Sequence, residues 1–265
     1  MSEPPSQSYD PVYFDLLFRV EDRHFWFRAR NTLVAALVKR LVADLPRGYR
    51  VLEIGCGTGN VLQVLDKACD RGAVVGLDLY LEGLRCARRR TDALLVQGDV
   101  SALPFGVSFD LIALFDVLEH FADDRRILSA VRNLLGEEGR LLLTVPAYPS
   151  LWSYFDEASH HYRRYSREEL ARKLEEACYK VEWITYYMAG LFPLVWAGRR
   201  LAWLAKGAGG YRKDRVADLT ISELRIRPVV NDVLAWWLSL EAHWLARGRA
   251  LPWGTSLLAV ARKVL

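Results

Sequence analysis

The chain has 265 residues, of which 52% are hydrophobic and 26% charged, a composition typical of a packed globular protein rather than a disordered, collagen-like or disulfide-rich one. Its 36 Lys and Arg against 32 Asp and Glu leave a formal charge of +4, too small an excess to indicate a nucleic-acid partner by itself. The four cysteines have neither metal-knuckle nor disulfide-framework spacing, and the first ten residues hold no apolar stretch typical of a secretory signal, so we expect a cytosolic protein with reduced thiols.

The predicted elements begin with a tail rich in Pro and Ser over residues 1–10 and two helices between residues 11 and 45. The second helix, over residues 31–45, carries apolar side chains at helical spacing. The motif HFWFRAR, residues 24–30, lies at the junction of the two helices. We expect residues 1–45 to form a tail and a helical lid.

Between residues 50 and 145, short apolar runs alternate with stretches of helical period, as in repeated βα units around a buried parallel sheet. The predicted strands cover residues 50–54, 73–77, 93–97, 109–115, 140–145, 180–187 and 256–263. The predicted helices between them cover residues 61–68, 81–90, 123–135 and 166–178. This order predicts an α/β fold with a doubly wound, mostly parallel seven-stranded sheet.

The predicted organisation has four segments. After the lid, the sheet-forming core covers residues 46–187, a helical insertion covers residues 188–253, and residues 254–265 return to the core as its last strand. A long loop over residues 146–165 shows no clear periodicity, and a loop of this length in a compact domain is usually either functional or wrongly assigned as a loop.

The most specific motif is VLEIGCGTGN, which predicts a strand ending near Glu53, a turn with glycines in GxGxG spacing, and a helix. Glycines in such a turn let the backbone bend sharply and approach a ligand closely. The nicotinamide fingerprint requires its third glycine where this chain has Asn60, and no Gly-Lys-Ser/Thr of a P-loop follows.

An acidic residue two places before a GxGxG turn resembles the first motif of the class I S-adenosylmethionine (SAM)-dependent methyltransferases. The likeness extends from Arg50 to about Tyr187, and the whole chain is similar to bacterial type-11-like methyltransferases with a C-terminal extension. The resemblance implies that residues 46–187 bind SAM as cofactor. The implied cofactor-binding residues of this core are Glu53, Gly55, Cys56, Gly57, Gly59, Asp78, Leu79, Asp99, Val100 and Asp116.

The same resemblance implies a role for each carboxylate. Asp78 would hold the ribose hydroxyls and Asp99 the adenine amino group. Asp116 would lie beside the methionine portion, and Glu53 near its amino group. From the residues alone, helix capping by Asp78 and a turn held by Asp99 are the alternatives.

The N-terminal helices could also reach the cofactor. Related bacterial methyltransferases fold such helices over SAM, which implies that Trp26 shields the sulfonium and Arg30 pairs with the SAM carboxylate. Core packing of the aromatic residues 25–27 explains that cluster equally well.

The loop of residues 146–165 contains six aromatic residues together with His160 and His161, and it follows the fifth strand at the edge where open α/β sheets bind ligands. We predict that it walls an apolar acceptor pocket. The catalytic candidates are His161, His120 and Tyr148, with His161 or His120 as general base. An aromatic loop packed on the sheet, and a helix-initiating turn at His120, are the alternatives.

Some ubiquinone-pathway and small-RNA methyltransferases look similar around His120, with ExxEH and a later histidine that hold a divalent metal. This chain has Asp116, Glu119, His120, His160 and His161, which fit that spacing incompletely. We assign no metal ligand, and a metal at this turn is left as an alternative.

The basic excess lies in residues 188–253, where ten Lys and Arg face five Asp and Glu and where six of the nine tryptophans lie. The uncharged residues 183–198 are fewer than the ~20 needed to span a bilayer. We therefore predict two amphipathic helices, over residues 191–205 and 229–246, that lie on an anionic membrane surface. In the alternatives, these helices cap the sheet or form a dimer contact.

We predict that this cytosolic protein, peripheral on the inner face of the membrane, transfers the SAM methyl group in line to a hydrophobic small-molecule or lipid-linked acceptor, at oxygen. A soluble natural-product methyltransferase with the insertion as pocket lid is one alternative. A non-enzymatic SAM-binding scaffold is the other. Nucleic acid is disfavoured because the motif [N/D]PP[F/Y] does not follow the fourth strand.

Overall fold

A seven-stranded sheet forms the centre of the protein. This computed structural model describes residues 13–206 and 224–264. Its strands are β1 Arg50–Ile54, β2 Ala73–Asp78, β3 Leu94–Gln97, β4 Phe109–Phe115, β5 Leu135–Pro146, β6 Tyr179–Tyr187 and β7 Ser256–Lys263. They lie in the order β3-β2-β1-β4-β5-β7-β6, and β7 runs antiparallel to its two neighbours whereas the other pairs are parallel. The predicted α/β fold is therefore confirmed.

Helices cover both faces of this sheet, as the apolar runs of its parallel strands require. They are α1 Tyr13–Val20, α2 Phe25–Leu41, α3 Leu62–Ala68, α4 Leu81–Ala87, α5 Asp124–Leu134, α6 Tyr154–Ala158, α7 Arg167–Glu176, α8 Phe192–Lys206 and α9 Pro228–Ala246. On one face, α2, α3 and α9 contribute Leu37, Leu62 and Leu238 to the core. On the other, α5 and α7 contribute Leu128 and Leu174.

The second N-terminal helix begins earlier than the sequence pattern predicts. His24 caps it by accepting a hydrogen bond from the Trp26 N–H at 3.3 Å. The motif HFWFRAR is thus the cap and first turns of α2 rather than a junction, and the helix ends at Leu41 instead of residue 45. A local side-chain cap decided this boundary, which apolar periodicity does not report.

Two short segments, the loop after β5 and the turn after β4, differ from their predicted secondary structure. Residues 146–165 contain the short helix α6, which Ser153 and Asp156 begin with a capping box. Conversely, Glu119 and His120 lie in a single 3-10 turn, and α5 begins only at Asp124. Elements this short span too few turns for hydrophobic periodicity to reveal them.

The insertion packs one helix against the N-terminal segment. Asn231 of α9 accepts a hydrogen bond from the Phe25 N–H at 2.8 Å and donates one to the Arg23 carbonyl at 2.9 Å. The same helix contributes Leu238 to the core on one face of the sheet, which agrees with the alternative in which the helices of the insertion cap the sheet. The opposite face of α9 is exposed but also apolar, with Val233 56% and Trp236 65% exposed, so α9 differs from the predicted amphipathic helix.

Parts of the predicted lid and insertion lie outside the described residues, namely residues 1–12 and 207–223. The same holds for the side chains of residues 202–206, which include Trp203, one of the six tryptophans of the predicted insertion. Across residues 13–206 and 224–264, no helix has both the length and the apolar character that crossing a bilayer requires.

The turn after β1 packs directly against α4. Gly59 has a φ of 76°, and a Cβ atom at this position would lie 2.8 Å from the Cα and Cβ atoms of Ala87. Only glycine satisfies both the left-handed backbone and this close approach. The absence of a side chain at Gly59 therefore allows the close distance between the turn and α4.

We expect Gly59→Ala to lower the free energy of unfolding by about 2 to 4 kcal/mol, because it adds left-handed strain to a steric clash. Gly106→Ala is the matched control, since a Cβ there would meet nothing within 4 Å, and it should change stability by less than about 1 kcal/mol. Urea denaturation of both variants measures the difference. Equal stabilities would contradict the close approach of the turn to α4.

Candidate cofactor and acceptor site

Three acidic residues meet at the carboxyl edge of the sheet. Glu53 lies near the end of β1, Asp78 ends β2, and Asp116 directly follows β4. Strand β1 pairs with β2 on one side and β4 on the other, so the chain order reverses at β1. Open α/β sheets bind ligands at such a switch point, and the structure places the predicted residues there.

The carboxylate of Asp78 holds the glycine turn against the end of β2. Its oxygens accept hydrogen bonds from the N–H groups of Gly57 at 2.7 Å and Tyr80 at 2.9 Å. Burial raises the pKa of this carboxyl group, and the backbone hydrogen bonds oppose that effect. The Leu79 N–H also interacts with this carboxylate. A carboxylate offers about four acceptor positions, so Asp78 keeps acceptor capacity for a ribose hydroxyl.

Glu53 is a buried carboxylate with an unsatisfied oxygen. It is 2% exposed, and its Oε2 atom has no hydrogen-bond partner among the described residues. Burial raises its pKa well above the ordinary value, although the charge of Arg30 opposes this. A buried acceptor beside the glycine turn fits the positively charged amino group of SAM, which would supply the missing donor.

Arg30 and Asp116 form an ion pair between α2 and the end of β4. The guanidinium donates to Asp116 at 3.2 Å and to the Asn60 side chain at 3.3 Å, and it is 4.9 Å from the centroid of the Trp26 ring. Asp116 has a φ of 56°, and its N–H is bonded to the carbonyl oxygen of Thr144 at 3.0 Å. The predicted pairing of Arg30 with the SAM carboxylate stays a prediction.

The adenine side of the predicted site is built on a short turn. Asp99 caps the 3-10 turn Val100–Ala102 by accepting a hydrogen bond from the Ser101 N–H at 2.7 Å. This agrees with the alternative in which Asp99 holds a turn. Val100 is buried beneath it, and the Leu79 carbonyl is bonded to the Gln97 amide at 3.1 Å.

Cys56 lies in the glycine turn and is buried. Burial, followed by the nearby charges of Asp78 and Glu53, raises the pKa of its thiol well above the ordinary value. The neutral thiol is therefore the stable form beside these carboxylates.

Sequence reasoning missed the network that ties the N-terminal helices to the glycine turn. Arg90 donates to Glu21 at 2.6 Å, to the Phe18 carbonyl at 2.8 Å and to the Thr58 hydroxyl at 2.7 Å. Thr58 in turn donates to Glu21. The partners are 32 to 72 residues apart in sequence, and no local pattern relates them.

The predicted catalytic histidines lie together on the acceptor side. The rings of His120 and His161 meet edge to face with centroids 4.8 Å apart. His161 Nδ1 lies 3.0 Å from Asp156 Oδ1, and His161 Nε2 lies 4.0 Å from Glu119 Oε1. Burial, followed by the charge of Asp116, raises the pKa of Glu119 well above its ordinary value.

Asp156 is a further residue of this site that sequence reasoning missed. It is fully buried and accepts a hydrogen bond from Arg164 Nε at 2.7 Å in addition to its contact with His161. Burial alone would raise its pKa, but His161 and Arg164 outweigh burial and lower it to about 2. The capping-box spacing of Ser153 and Asp156 was a detectable signal for a structured turn, though not for contact with His161.

Tyr148 belongs to the loop of residues 146–165 and contacts the insertion. Its φ is 57°, its ring stacks on Tyr186 with centroids 5.0 Å apart, and Phe192 of α8 lies 5.3 Å away. Burial, followed by the hydrogen bond with Tyr186, raises the pKa of its hydroxyl. The aromatic loop thus packs on β6 and on the start of α8.

A family model described as "Methyltransferase domain" matches residues 26–182. This range includes the glycine turn, all three carboxylates at the sheet edge and the histidine pair. The chain spans 40% to 50% of the length of the first curated relatives it matches.

Two of the similar curated proteins are methyltransferases by name. Demethylmenaquinone methyltransferase of Thermotoga maritima is 34% identical over 96 residues, which are 36% of this chain and 42% of that protein. Phthiotriol/phenolphthiotriol dimycocerosates methyltransferase 1 of Mycobacterium ulcerans is 33% identical over 101 residues, 37% of each chain. Among solved structures, the plantazolicin methyltransferase BpumL in complex with SAH superposes with a TM-score of 0.59 at 14% identity, covering 97% of this chain and 91% of that one.

We expect Asp78→Asn to weaken SAM binding by about 10- to 100-fold, because a charged acceptor for a ribose hydroxyl becomes a neutral one. Asp92→Asn is the matched control, since Asp92 is exposed in the turn before β3, and it should leave the affinity unchanged. Isothermal titration calorimetry gives both dissociation constants, and thermal denaturation checks that each variant is folded. An unchanged affinity in Asp78→Asn would contradict the ribose assignment.

Proposed function

The chain belongs to the class I SAM-dependent methyltransferases, and we propose that it transfers the SAM methyl group to an oxygen atom of a hydrophobic small-molecule or lipid-linked acceptor. The convergence of Glu53, Asp78 and Asp116 around the glycine turn carries the cofactor part of this proposal. The acceptor part is supported by an exposed apolar surface on the insertion and by the named substrates of the quinone and lipid relatives.

The chain's own contribution is to hold, orient and enclose the reactants. When bound, SAM supplies an electrophilic methyl group on a sulfonium. Asp78 would hold the ribose and Glu53 the amino group, which fixes the direction of the methyl group. The helices α1 and α2, tied to the glycine turn through Arg90, would close over the cofactor and exclude water. Alignment in a dry site provides most of the acceleration in such a transfer.

On the predicted acceptor side, His161 is oriented so that one ring nitrogen could contact a polar group of the acceptor. With Nδ1 bonded to Asp156 at 3.0 Å, the carboxylate fixes the ring, and Nε2 is the atom left to contact an acceptor. An imidazole oriented in this way can take the proton of a hydroxyl group. The side chain is 8% exposed, so this contact would be made in a largely enclosed space.

A lipid-linked acceptor is favoured by the outer face of α9. Seven apolar side chains on this helix are at least 44% exposed: Val229, Val230, Val233, Trp236, Trp237, Leu240 and Trp244. Arg225 and Arg227 precede the helix, and Arg247 and Arg249 follow it, all exposed. Tryptophans and aliphatic side chains bordered by arginines suit the interface of an anionic membrane.

The contact of Phe192 with Tyr148, 5.3 Å between ring centroids, favours a second candidate function. Because α8 begins against the predicted acceptor loop, the insertion could instead serve as the pocket lid of a soluble natural-product methyltransferase.

Replacing His161 should reduce turnover without loss of cofactor binding. We expect His161→Ala to lower kcat by about 100-fold or more, with a SAM dissociation constant within about twofold of wild type. Transfer of a radiolabelled methyl group from SAM to a panel of quinols and hydroxylated lipids measures turnover. His160→Asn is the control, because His160 is exposed and has a φ of 53° that asparagine tolerates. Equal turnover in His161→Ala would end the proposed role.

Membrane association can be tested separately by liposome flotation. The wild-type chain should float with vesicles that contain phosphatidylglycerol and bind phosphatidylcholine vesicles more weakly. We expect Val233→Ser with Trp236→Ser to reduce binding by at least about tenfold, since two exposed apolar side chains lose their burial in the interface. Leu94→Ser is the control, being 64% exposed on β3 at the far edge of the sheet. No flotation, or equal loss in the control, would favour the soluble candidate.

A further inference from the structure

The insertion brings a charged side chain to the predicted acceptor side of the site. Arg199 lies on α8, and its guanidinium Nη1 atom is 3.9 Å from Oδ2 of Asp156. Asp156 is the buried carboxylate that holds His161, and the Arg199 side chain is itself 18% exposed. An arginine from outside the sheet-forming core therefore lies beside the carboxylate that orients the proposed catalytic histidine.

Asp156 has its hydrogen bonds without Arg199. Its Oδ1 atom contacts His161 Nδ1 at 3.0 Å and accepts a hydrogen bond from Arg164 Nε at 2.7 Å. Its Oδ2 atom accepts from the N–H and the hydroxyl of Ser153 at 2.8 and 3.2 Å. A carboxylate offers about four acceptor positions, and these contacts occupy them. The distance of 3.9 Å to Arg199 is too long for a hydrogen bond, so Arg199 is not required to fix Asp156.

The charges of this cluster do not balance. Arg164 and Arg199 are two cations that approach the single carboxylate of Asp156. Glu119 faces the opposite nitrogen of His161, and burial raises the pKa of its carboxyl group well above the ordinary value, which favours the neutral acid. The cluster therefore carries an excess of positive charge in a largely enclosed space, where an anion would be stabilised.

An aromatic ring lies on the same face of α8 as Arg199. Phe192 is at the start of this helix, and its ring centroid is 5.3 Å from that of Tyr148. Phe192 and Arg199 are seven residues apart, which is about two helical turns, so they share one face about 10 Å apart along the axis. Both contact the loop of residues 146–165, one through Tyr148 and the other through Asp156. This face of α8 thus presents an apolar ring and a guanidinium to the same loop.

We propose that Arg199 binds an anionic group of the acceptor, a phosphate or a carboxylate, while the apolar body of the acceptor contacts Tyr148 and Phe192. A guanidinium pairs with either anion through two parallel hydrogen bonds. The inference rests on the proposed function and deepens it, because it gives the hydrophobic acceptor a negative charge. It also gives the insertion a part in the choice of acceptor.

Binding of small amphiphiles tests this assignment without requiring methyl transfer. The probes are octyl phosphate, octanoate and octanol, which share one alkyl chain, and inorganic phosphate, which has none. Calorimetry on the full chain, in the presence of SAH, the demethylated form of SAM, should show that octyl phosphate, octanoate or both bind at least about tenfold more tightly than octanol, because only an anion pairs with a guanidinium. The tighter of the two identifies the anion. Inorganic phosphate should bind at least about tenfold more weakly than octyl phosphate, since it has no apolar surface to bury.

Arg199→Met removes the charge and keeps most of the side-chain length. We expect it to lower the affinity for the tighter anionic amphiphile by at least about tenfold and to leave the affinity for octanol within about twofold of wild type. Arg199→Lys should restore part of the loss, because it keeps the charge but not the planar guanidinium. Arg200→Met is the matched control on the same helix, since Arg200 is exposed and lies 5.7 Å from the centroid of the Trp196 ring. It should bind all probes as the wild type does.

A purely structural role of Arg199 would weaken the binding of octanol and of the anions alike, and that result would overturn the proposal. The proposal is also overturned if the wild type binds octanol as tightly as both anions. It is equally overturned if Arg199→Met keeps the wild-type affinity for the anions, as binding at the exposed arginines next to α9 would give. SAM affinity, measured on every variant, should stay within about twofold of wild type. Failure of the wild type to bind SAM would contradict the cofactor part of the proposed function, so the two failures are distinguishable.

Discussion

The meeting of three carboxylates with one glycine turn is the constraint on which the remaining site depends. The turn after β1 can pack against α4 only because Gly59 has no side chain that would clash with Ala87. It stays there because Asp78 accepts the Gly57 N–H. The same carboxylate keeps acceptor capacity for a ligand, so the interaction that shapes the turn also prepares the proposed ribose contact. Glu53 is left buried with an unsatisfied oxygen, a cost that a cationic ligand group would offset.

Around this turn, the N-terminal helices act as a clamp fastened by buried charge. Arg90 reaches from beyond α4 to Glu21 and to the Phe18 carbonyl, and Arg30 reaches from α2 to Asp116. Arg90 and Glu21 are both buried, so removing either one leaves the other with an incompletely compensated charge, which is more destabilising than the pair is stabilising. These ion pairs therefore fix the position of α1 and α2 relative to the glycine turn. The proposed enclosure of the cofactor depends on that position.

On the predicted acceptor side, the polar side chains around His161 are bordered by aromatic and aliphatic side chains. Asp156 and Arg164 hold His161 from behind, while Glu119 faces it from a fully buried position. Tyr148 connects the same loop to α8 through Phe192, and α9 presents apolar side chains both to α2 and to the outside. The proposed acceptor pocket and the proposed membrane face therefore lie next to each other, on one loop and its neighbouring insertion.

The sequence by itself determined the α/β fold, most strand limits and the edge where the predicted cofactor residues gather. Apolar runs and the spacing of Glu53, the glycines and Asp78 are local, and parallel strands bring their carboxyl ends together automatically. Only the tertiary structure decided that α2 begins at Phe25, that Asp156 holds His161, that neither Glu119 oxygen has a hydrogen-bond partner among the described residues, and which apolar face of α9 stays exposed. Each of these depends on side chains from distant segments packing together or failing to meet. Local propensity and hydrophobic periodicity describe only neighbouring residues. They therefore contain no information about contacts between segments that are far apart in sequence.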